Sequence, residues 1–498
     1  MVEDRIRCKA LLGKITSSAD AAQLIHDGMM IGASGFTRAG DAKAVPAALA
    51  ERAQREGKPL RITLITGASL GHDTDKILTE AGVLARRMPF QVDSTLRRAI
   101  NGGEVMYIDQ HLSETVELLR TNRLGSMDIA IIEAAAITET GGIVPTTSIG
   151  NSATFAACAK KVIVEINLAQ PAALEGLHDI WLPGDRPFRE PLPIVRCDDR
   201  VGTQSIDVPL EKIAAIVVTN CPDSPSTVEK PDAETARIAG HLIEFFQHEV
   251  SRGRLPKNLP PLQAGIGTIA NAVLSGFASS PFEVLTIYSE VLQDSTFELI
   301  DAGKVAFASG ASITLSGERQ RQVLSELSRY RDKLLLRPQE VSNHPEVIHR
   351  LGLIAINTAL EVDIYGNVNS THVGGTHMMN GIGGSGDFAR NAAYAIFATK
   401  SVAKNGAISS IVPMVPHCDH NEHDVDVIVT EMGLANLTGL APRERAMQII
   451  EHCAHPLYRD LLRDYYRDAL RFGGQTPHNL AAAFGLHTRF AETGSMRG

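Results

Sequence analysis

Short apolar runs that end in Gly, Ser or Thr punctuate the N-terminal part of the chain: GMMIGASGF (28–36), ITLITGAS (62–69), IAIIEAAAI (129–137), KVIVEIN (161–167) and IAAIVVTN (213–220). Between several of them apolar positions recur at helical spacing, as in AKAVPAALAERAQREG (42–57). Near-continuous apolar strands alternating with helices predict mainly parallel sheets covered by helices. The alternation stops at CPDSPSTVEKPDAET (221–235), a Pro-, Ser- and charge-rich linker candidate leading into a helical pattern. It restarts with LQAGIGTIANAVL (262–274), EVLTIYSEVLQ (283–293), KVAFASGAS (304–312), LIAINTALEVDIYGNVN (353–369), AISSIVPMV (407–415) and VDVIVTEMG (425–433). The expectation is two open, mainly parallel-sheet α/β domains, over residues 1–225 and 226–498. In such folds ligands gather beyond the carboxyl ends of strands.

Composition narrows the function classes. With 498 residues, 44% hydrophobic and 21% charged, the chain can bury large cores. A formal charge of −9, without a basic block, argues against nucleic acid as a partner. Six cysteines lack any CxxC spacing and read as reduced thiols in a cytosol-like compartment. The N-terminus has no secretory apolar core and no apolar stretch reaches the ~18 residues of a membrane span, so a cytoplasmic location is expected, or a mitochondrial one if a presequence has been removed.

Four features carry candidate chemistry. AGIGTIANAV runs from a strand through Gly265 and Gly267 into a helix, and its N–H groups suit a phosphate or an oxyanion. NGIGGSGDF contains Gly381, Gly383 and Gly386 in a GxGxxG spacing. A dinucleotide fingerprint also needs a buried strand directly before it, which STHVGGTHMMN does not supply. VPHCDHNEHDVD packs His417, Cys418, Asp419, His420, Glu422 and His423 together, but without the spacing of a known metal site, so hydrogen-bonded loop histidines are expected and no metal ligands are assigned. Finally, Glu290 in YSEVLQ and Glu431 in VDVIVTEMG are carboxylates set in apolar runs, where a charge must find a partner or shift its pKa. Glu133 and Glu165 are commoner cases of the same pattern, read as helix caps or ion-pair members.

The runs GIGTIANA, YSEVLQ, RPQEVSNHPEVI, DIYGNVNSTHV, NGIGGSGDF, IVPM and TEMGLANL resemble the acetyl-CoA hydrolase/transferase branch of the class I CoA-transferases, above all its succinate- and propionate-linked members. SGFTRAGDAKAVP, EAAAITETGGIVPTTSIGN and DRVGT extend the likeness in collinear order through the N-terminal half. The resemblance implies a site between two α/β domains, a homodimer, and Glu290 as nucleophile, with Asn343 and Glu431 near the reacting carbonyl. It implies Ile266 and Gly384 as oxyanion-hole donors, and Gly265, Ile266, Gly267, Thr268, Ile269, Leu360, Gly384 and Lys404 against CoA. The substrates would be short-chain acyl-CoA thioesters and small carboxylic acids, with no cofactor beyond CoA as substrate. TNCPDSP carries no Arg where some relatives have one, so no residue is assigned to the substrate carboxylate. A thioester hydrolase on the same residues, an NAD-dependent oxidoreductase on the GxGxxG loop, and a metal-dependent hydrolase on His417, His420 and His423 are the alternatives.

Overall fold

A computed structural model describes residues 2–227 and 231–497. The chain forms two compact α/β units. Unit 1 comprises Met1–Thr227, Thr286–Ile300 and Ala306–Leu351; unit 2 comprises Val228–Leu285, Asp301–Val305 and Gly352–Gly498. The stretch carrying Glu290 and Asn343 therefore packs with the N-terminal residues, although the sequence pattern groups it with the C-terminal half.

The main sheet of unit 1 is built from β1 (Met30–Ala33), β2 (Ile62–Ile65), β3 (Leu84–Met88), β4 (Met106–Tyr107), β5 (Ile129–Ile137), β6 (Ile143–Pro145), β7 (Lys161–Asn167) and β8 (Ile213–Thr219). Its order is β4-β3-β2-β1-β5-β7-β8, all parallel, with β6 antiparallel on β5. After β1 the chain builds outward through β2, β3 and β4, then returns at β5 to the other side of β1, which makes a switch point there. All nine residues of β5 are buried, as expected for a central parallel strand covered on both faces.

The helix Ala44–Glu56 shows how local sequence fixes an element. Glu165, within β7, accepts the backbone N–H groups of Lys43, Ala44 and Val45 at 2.8, 3.0 and 2.7 Å, satisfying donors the helix itself leaves open. Gly57, at φ 60°, ends the helix in the left-handed conformation. The face bearing Val45, Ala48 and Leu49 is buried, worth about 1.5–3 kcal/mol for each of the larger side chains.

The run 283–293 does not form one strand. Leu285–Tyr288 lies beside Val305–Gly310, which pairs in parallel with Leu334–Leu336. Val291–Leu292 leaves that sheet and pairs with Ser312–Ile313. Glu290 sits in the break, and its carbonyl accepts the N–H groups of Ala311 and Ser312 at 2.7 and 3.1 Å. A Cβ on Gly310 would come within 3.0 Å of that oxygen, so the close approach needs glycine.

In unit 2 the parallel strands Leu262–Ala264, Ile354–Thr358, Tyr394–Ala398 and Val427–Thr430 lie in that order, followed by antiparallel Gly433–Asn436. Its core gathers Val362, Phe397, Ile428, Ile449 and Tyr458, the last two from the helices Pro442–His452 and Pro456–Leu470. The helix Ala233–Ser251 starts at a capping box of Asp232 and Thr235. Of the expected linker, residues 228–230 lie outside the described residues, and Asp223 just before them is buried at 4% exposure. Among the described residues no helix is long and apolar enough to cross a membrane.

Candidate active site

The pattern of half-buried carboxylate and buried amide centres on Glu290. Its side chain is partly exposed, whereas Ser289, Val291 and Leu292 beside it are buried. Asn343, fully buried at the end of the short helix Gln339–Ser342, donates its side-chain N–H to Glu290 Oε1 at 2.5 Å. A hydrogen bond to an ionised carboxylate is short and strong, and it fixes which oxygen points where.

Several contacts hold this pair in register. Two residues before each member, Tyr288 Oη donates to the carbonyl of Val341 at 2.7 Å, with both side chains buried. Burial pushes the Tyr288 phenol well above its ordinary pKa, so it remains a donor at any working pH. At the head of the turn the buried Arg337 guanidinium pairs with Asp179 and donates to the carbonyls of Cys197 and Asp199. Glu340 pairs with Arg120 and accepts the Thr154 hydroxyl at 2.8 Å. Burial raises the Glu340 pKa against the opposing pull of Arg120. Tyr288, Arg337 and Glu340 all lie inside the runs YSEVLQ and RPQEVSNHPEVI, yet no pattern in those runs marks them as supports.

Unit 1 also buries a charge cluster. The Lys43 ammonium donates to Glu133, to Asp223 Oδ1 at 3.0 Å and to the Asp41 carbonyl at 2.8 Å, and lies 3.8 Å from Asp41 Oδ1. Glu133 also accepts Thr146 Oγ1 and Asn167 Nδ2 at 2.8 and 2.9 Å. Burial by itself would lower the Lys43 pKa, but Glu133, Asp223 and Asp41 together raise it. Burial raises Glu133 to about 8 despite Lys43. Glu165 is a helix cap, as the pattern suggests. Glu133 is an ion-pair member whose partner is a lysine 90 residues away.

In unit 2 the other sequence candidates lie along one edge. Gly265 and Ile266 follow Leu262–Ala264, Leu360 follows Ile354–Thr358, and Glu431 follows Val427–Thr430, so parallel strands of one sheet deliver them at their carboxyl ends. Ile266 and Leu360 are exposed at 40% and 37%, unusual for large apolar side chains on such an edge. Gly267, at φ 117°, opens the helix Thr268–Gly276, which carries Thr268 and Ile269 in its first turn. Gly384 opens the helix Ser385–Ala389, which packs against Ile354–Thr358 and Tyr394–Ala398. Glu431 is buried and accepts both the N–H, at 2.8 Å, and the hydroxyl of Ser401. Lys404 is exposed on the turn between Val402–Ala403 and Ile408–Ser409, with its ammonium 5.1 Å from the centroid of the Phe490 ring.

Two other sequence features resolve into hydrogen bonding. His377–Met378, before the GxGxxG spacing, is half of a two-residue antiparallel hairpin with His372–Val373, so the buried parallel strand of a dinucleotide fingerprint is missing there. In the His-rich run, His417 Nε2 lies 3.1 Å from Asp419, which also accepts the Ser370 N–H and the Thr371 hydroxyl. His420 Nε2 lies 3.1 Å from Ser385 Oγ, next to Gly384. Among the described residues no group of three His, Cys, Asp or Glu is placed to hold a metal ion.

Residues 2–218 match the N-terminal domain of acetyl-CoA hydrolase/transferase and residues 320–466 match its C-terminal domain. The chain is 51% identical over 498 residues to the succinyl-CoA:acetate CoA-transferase of Clostridium kluyveri, covering 100% of this chain and 93% of that one. It is 44% identical over 483 residues to the propanoyl-CoA:succinate CoA transferase of Escherichia coli K12, covering 96% and 98%. Among solved structures, RipA from Yersinia pestis superimposes with a TM-score of 0.72 at 24% identity, covering 92% of this chain and 97% of that one, a likeness of fold. With a match to both domains in the expected order and such identity along its whole length, the chain belongs to the acetyl-CoA hydrolase/transferase family.

Proposed function

We propose that the protein is a CoA-transferase that moves CoA between a short-chain acyl-CoA, such as succinyl-, propionyl- or acetyl-CoA, and a small carboxylic acid, with Glu290 as the nucleophile. The observation that carries this reading is the Glu290 carboxylate, partly shielded in a strand break and held by the Asn343 amide at 2.5 Å. The whole-length identity to named CoA-transferases supports it.

A Glu290 oxygen attacks the thioester carbonyl and CoA thiolate leaves, forming an acyl-glutamyl anhydride. The thiolate then attacks the Glu290 carbonyl, releasing the donor acid and leaving a glutamyl-CoA thioester. The acceptor carboxylate attacks that thioester, the thiolate leaves again, and its attack on the new acyl carbonyl regenerates Glu290. No proton is gained or lost overall. Each tetrahedral intermediate puts charge on an oxygen, and the backbone N–H groups of Ile266 and Gly384 are assigned to receive it. A preorganised donor of this kind is worth about 3–4 kcal/mol. Lys404 offsets phosphate charge on CoA, and Leu360 lies with Gly265–Ile269 against the cofactor. Glu431 stands near the reacting carbonyl. The protein acts as a homodimer, a state that sedimentation would read. Its six free thiols fit a reducing, cytoplasm-like compartment.

Incubation with an acyl-CoA alone, followed by mass spectrometry, tests the mechanism: a CoA adduct is expected on the peptide containing Glu290. No adduct, together with full activity in Glu290→Ala, would sink it. Hydrolysis of acetyl-CoA is a second reading, favoured by the family's mixed membership. Thiol release at the transfer rate without any acceptor acid would establish it.

A further inference from the structure

Lys404 is held in the fold differently from the lysine that shortly precedes it. Lys400 is committed to acids, with Asp232 and Glu234 taking its ammonium at 2.5 and 2.8 Å. Among the described residues, no carboxylate pairs with the Lys404 ammonium and no hydrogen bond engages it. It stands instead 5.1 Å from the centroid of the half-buried Phe490 ring. An acid would neutralise the cation, whereas the face of an aromatic ring attracts it and leaves its charge and its N–H donors for a ligand.

The backbone beneath Lys404 is fixed as well. Lys404 and Asn405 adopt φ values of 48° and 54°, conformations that non-glycine residues keep only when their surroundings enforce them. The flanking strands Val402–Ala403 and Ile408–Ser409 pair antiparallel, and Val402 and Ile408 pack on the core of unit 2. Tyr458 Oη donates to the Gly406 carbonyl at 2.7 Å. The C-terminal segment adds two bonds: Met496 N–H donates to the Ala407 carbonyl at 2.7 Å, and Met496 Sδ accepts the Ser409 N–H at 3.3 Å.

Phe490 belongs to that same segment. It lies in the helix Gly485–Thr493, which Gly494 ends at φ 78° shortly before Met496. Leu486 and Met496 are buried in the core of unit 2, and Phe490 packs against it. His487 Nε2, in the same helix, lies 2.6 Å from Glu361 Oε2, next in sequence to Leu360. One anchored helix thus serves the turn bearing Lys404 and the strand that starts after Leu360.

A lysine on a surface turn has a long flexible stem, and ordering it on a phosphate costs rotamer entropy. A ring that already seats the ammonium lowers that cost before the ligand arrives. We propose that Phe490 is the positioning residue for Lys404, its ring holding the ammonium outside any ion pair and ready for a CoA phosphate. The proposal rests on the CoA role given to Lys404 above and adds the residue through which that cation is aimed.

The test compares kcat/KM for propionyl-CoA with that for propionyl-pantetheine, which carries the same thioester but no phosphate, both with acetate as acceptor. The proteins are the full chain, Phe490→Leu, Phe490→Tyr, Lys404→Met and the Phe490→Leu/Lys404→Met double variant. Phe490→Leu keeps apolar bulk against the core and removes the ring face. The CoA-to-pantetheine ratio is expected to fall about 2- to 5-fold in Phe490→Leu, the size of an exposed cation–π contact, and to recover in Phe490→Tyr. Lys404→Met should lower the ratio about 10-fold or more, and Phe490→Leu should add nothing in that background. Both substrates meet the same preparation, so incomplete folding cancels. A ratio that is unchanged in Phe490→Leu while Lys404→Met lowers it overturns the proposal and leaves the CoA role of Lys404 standing. A fall that persists in the Lys404→Met background also overturns it, because the ring would then act on CoA without the lysine. Failure of the parent assignment reads differently: the ratio would be unchanged in Lys404→Met itself, and the proposal would fall with it.

Discussion

Tyr288→Phe removes one oxygen and changes little else, because the ring stays in its buried place. The lost hydroxyl donates to the Val341 carbonyl at 2.7 Å, and that carbonyl keeps a second, longer bond from His344 N–H at 3.2 Å. The acceptor is thus not stranded, and the cost to stability falls at the low end of the range for a buried hydrogen bond, about 1 kcal/mol. The effect on transfer should be larger than that cost suggests. The bond ties the strand two residues before Glu290 to the turn two residues before Asn343, and small misplacements of reacting groups can cost as much as about 100-fold in rate. We expect kcat to fall about tenfold, with little change in KM for the acyl-CoA. Single-turnover formation of the glutamyl-CoA adduct is the assay, run in a double-mutant cycle with Asn343→Ala. If Tyr288 acts by positioning Asn343, its effect should vanish once Asn343 is gone. Additive losses, or wild-type kcat in Tyr288→Phe, would refute this reasoning. Burial keeps the phenol protonated well above neutrality, so the loss should also be the same at pH 6 and pH 9.

Three further outcomes follow from the same geometry. Lys43→Met leaves Glu133, Asp223 and Asp41 buried around an apolar side chain, and should destabilise unit 1 by about 3–5 kcal/mol; fluorescence of Trp181, the chain's one tryptophan and part of unit 1, would follow urea unfolding of that unit. Glu431→Gln exchanges one of the two acceptors on Ser401 for a donor, and kcat should fall about tenfold or more beyond the effect of Ser401→Ala; equal effects in the two variants would reduce Glu431 to a clamp on that loop. Stability of unit 1 should decline as pH rises from about 6.5 to about 8, because Glu133 has a folded pKa raised to about 8 and its stabilising proton is lost through that value. The buried His178 and His344, both lowered to about 4, act in the opposite direction; in the unfolded state they titrate around the ordinary value of about 6.5, so they offset Glu133 near that pH and their contribution fades above about 7.5. A Glu133→Gln variant should flatten the profile, and a wild-type profile that rises across this window would contradict the assignment.

What the sequence made legible were features set by local burial. The runs 129–137 and 161–167 are strands over those same residues, because a strand covered on both faces needs an unbroken apolar run and polar neighbours to end it. The glycine loops, Glu290, Asn343 and Glu431 are singled out by collinear motifs, and of these the fold joins Asn343 to Glu290 by a hydrogen bond. What stayed hidden were long-range choices of partner. Nothing in 283–293 announces that the chain changes strand partner at Ser289–Glu290, since the reason lies in Ser312–Ile313 and in the glycine at 310. The partner of Glu133 is likewise a lysine 90 residues upstream. The His-rich run reads as hydrogen-bonded loop histidines, but which partner each takes is equally hidden. In the fold His417 turns to Asp419 and His420 to Ser385, in separate hydrogen-bonded contacts.

The nucleophile role proposed for Glu290 sets two opposed demands, and the strand break bears on both. Within a continuous buried strand Glu290 would be fully desolvated, and would take up a proton or a counterion, as Glu133 does with Lys43. On an exposed loop it would be solvated, mobile and weakly nucleophilic. At the junction its backbone is fixed by two hydrogen bonds from Ala311 and Ser312, while the side chain stays partly open and is oriented by Asn343. The same segment is tied to the turn at Thr37 through Thr314, whose N–H donates to the Leu292 carbonyl and whose hydroxyl donates to the Thr37 carbonyl. A change that merges the two short strands into one should therefore slow formation of the CoA adduct proposed on Glu290, because it removes the fixed backbone and the partial opening at once.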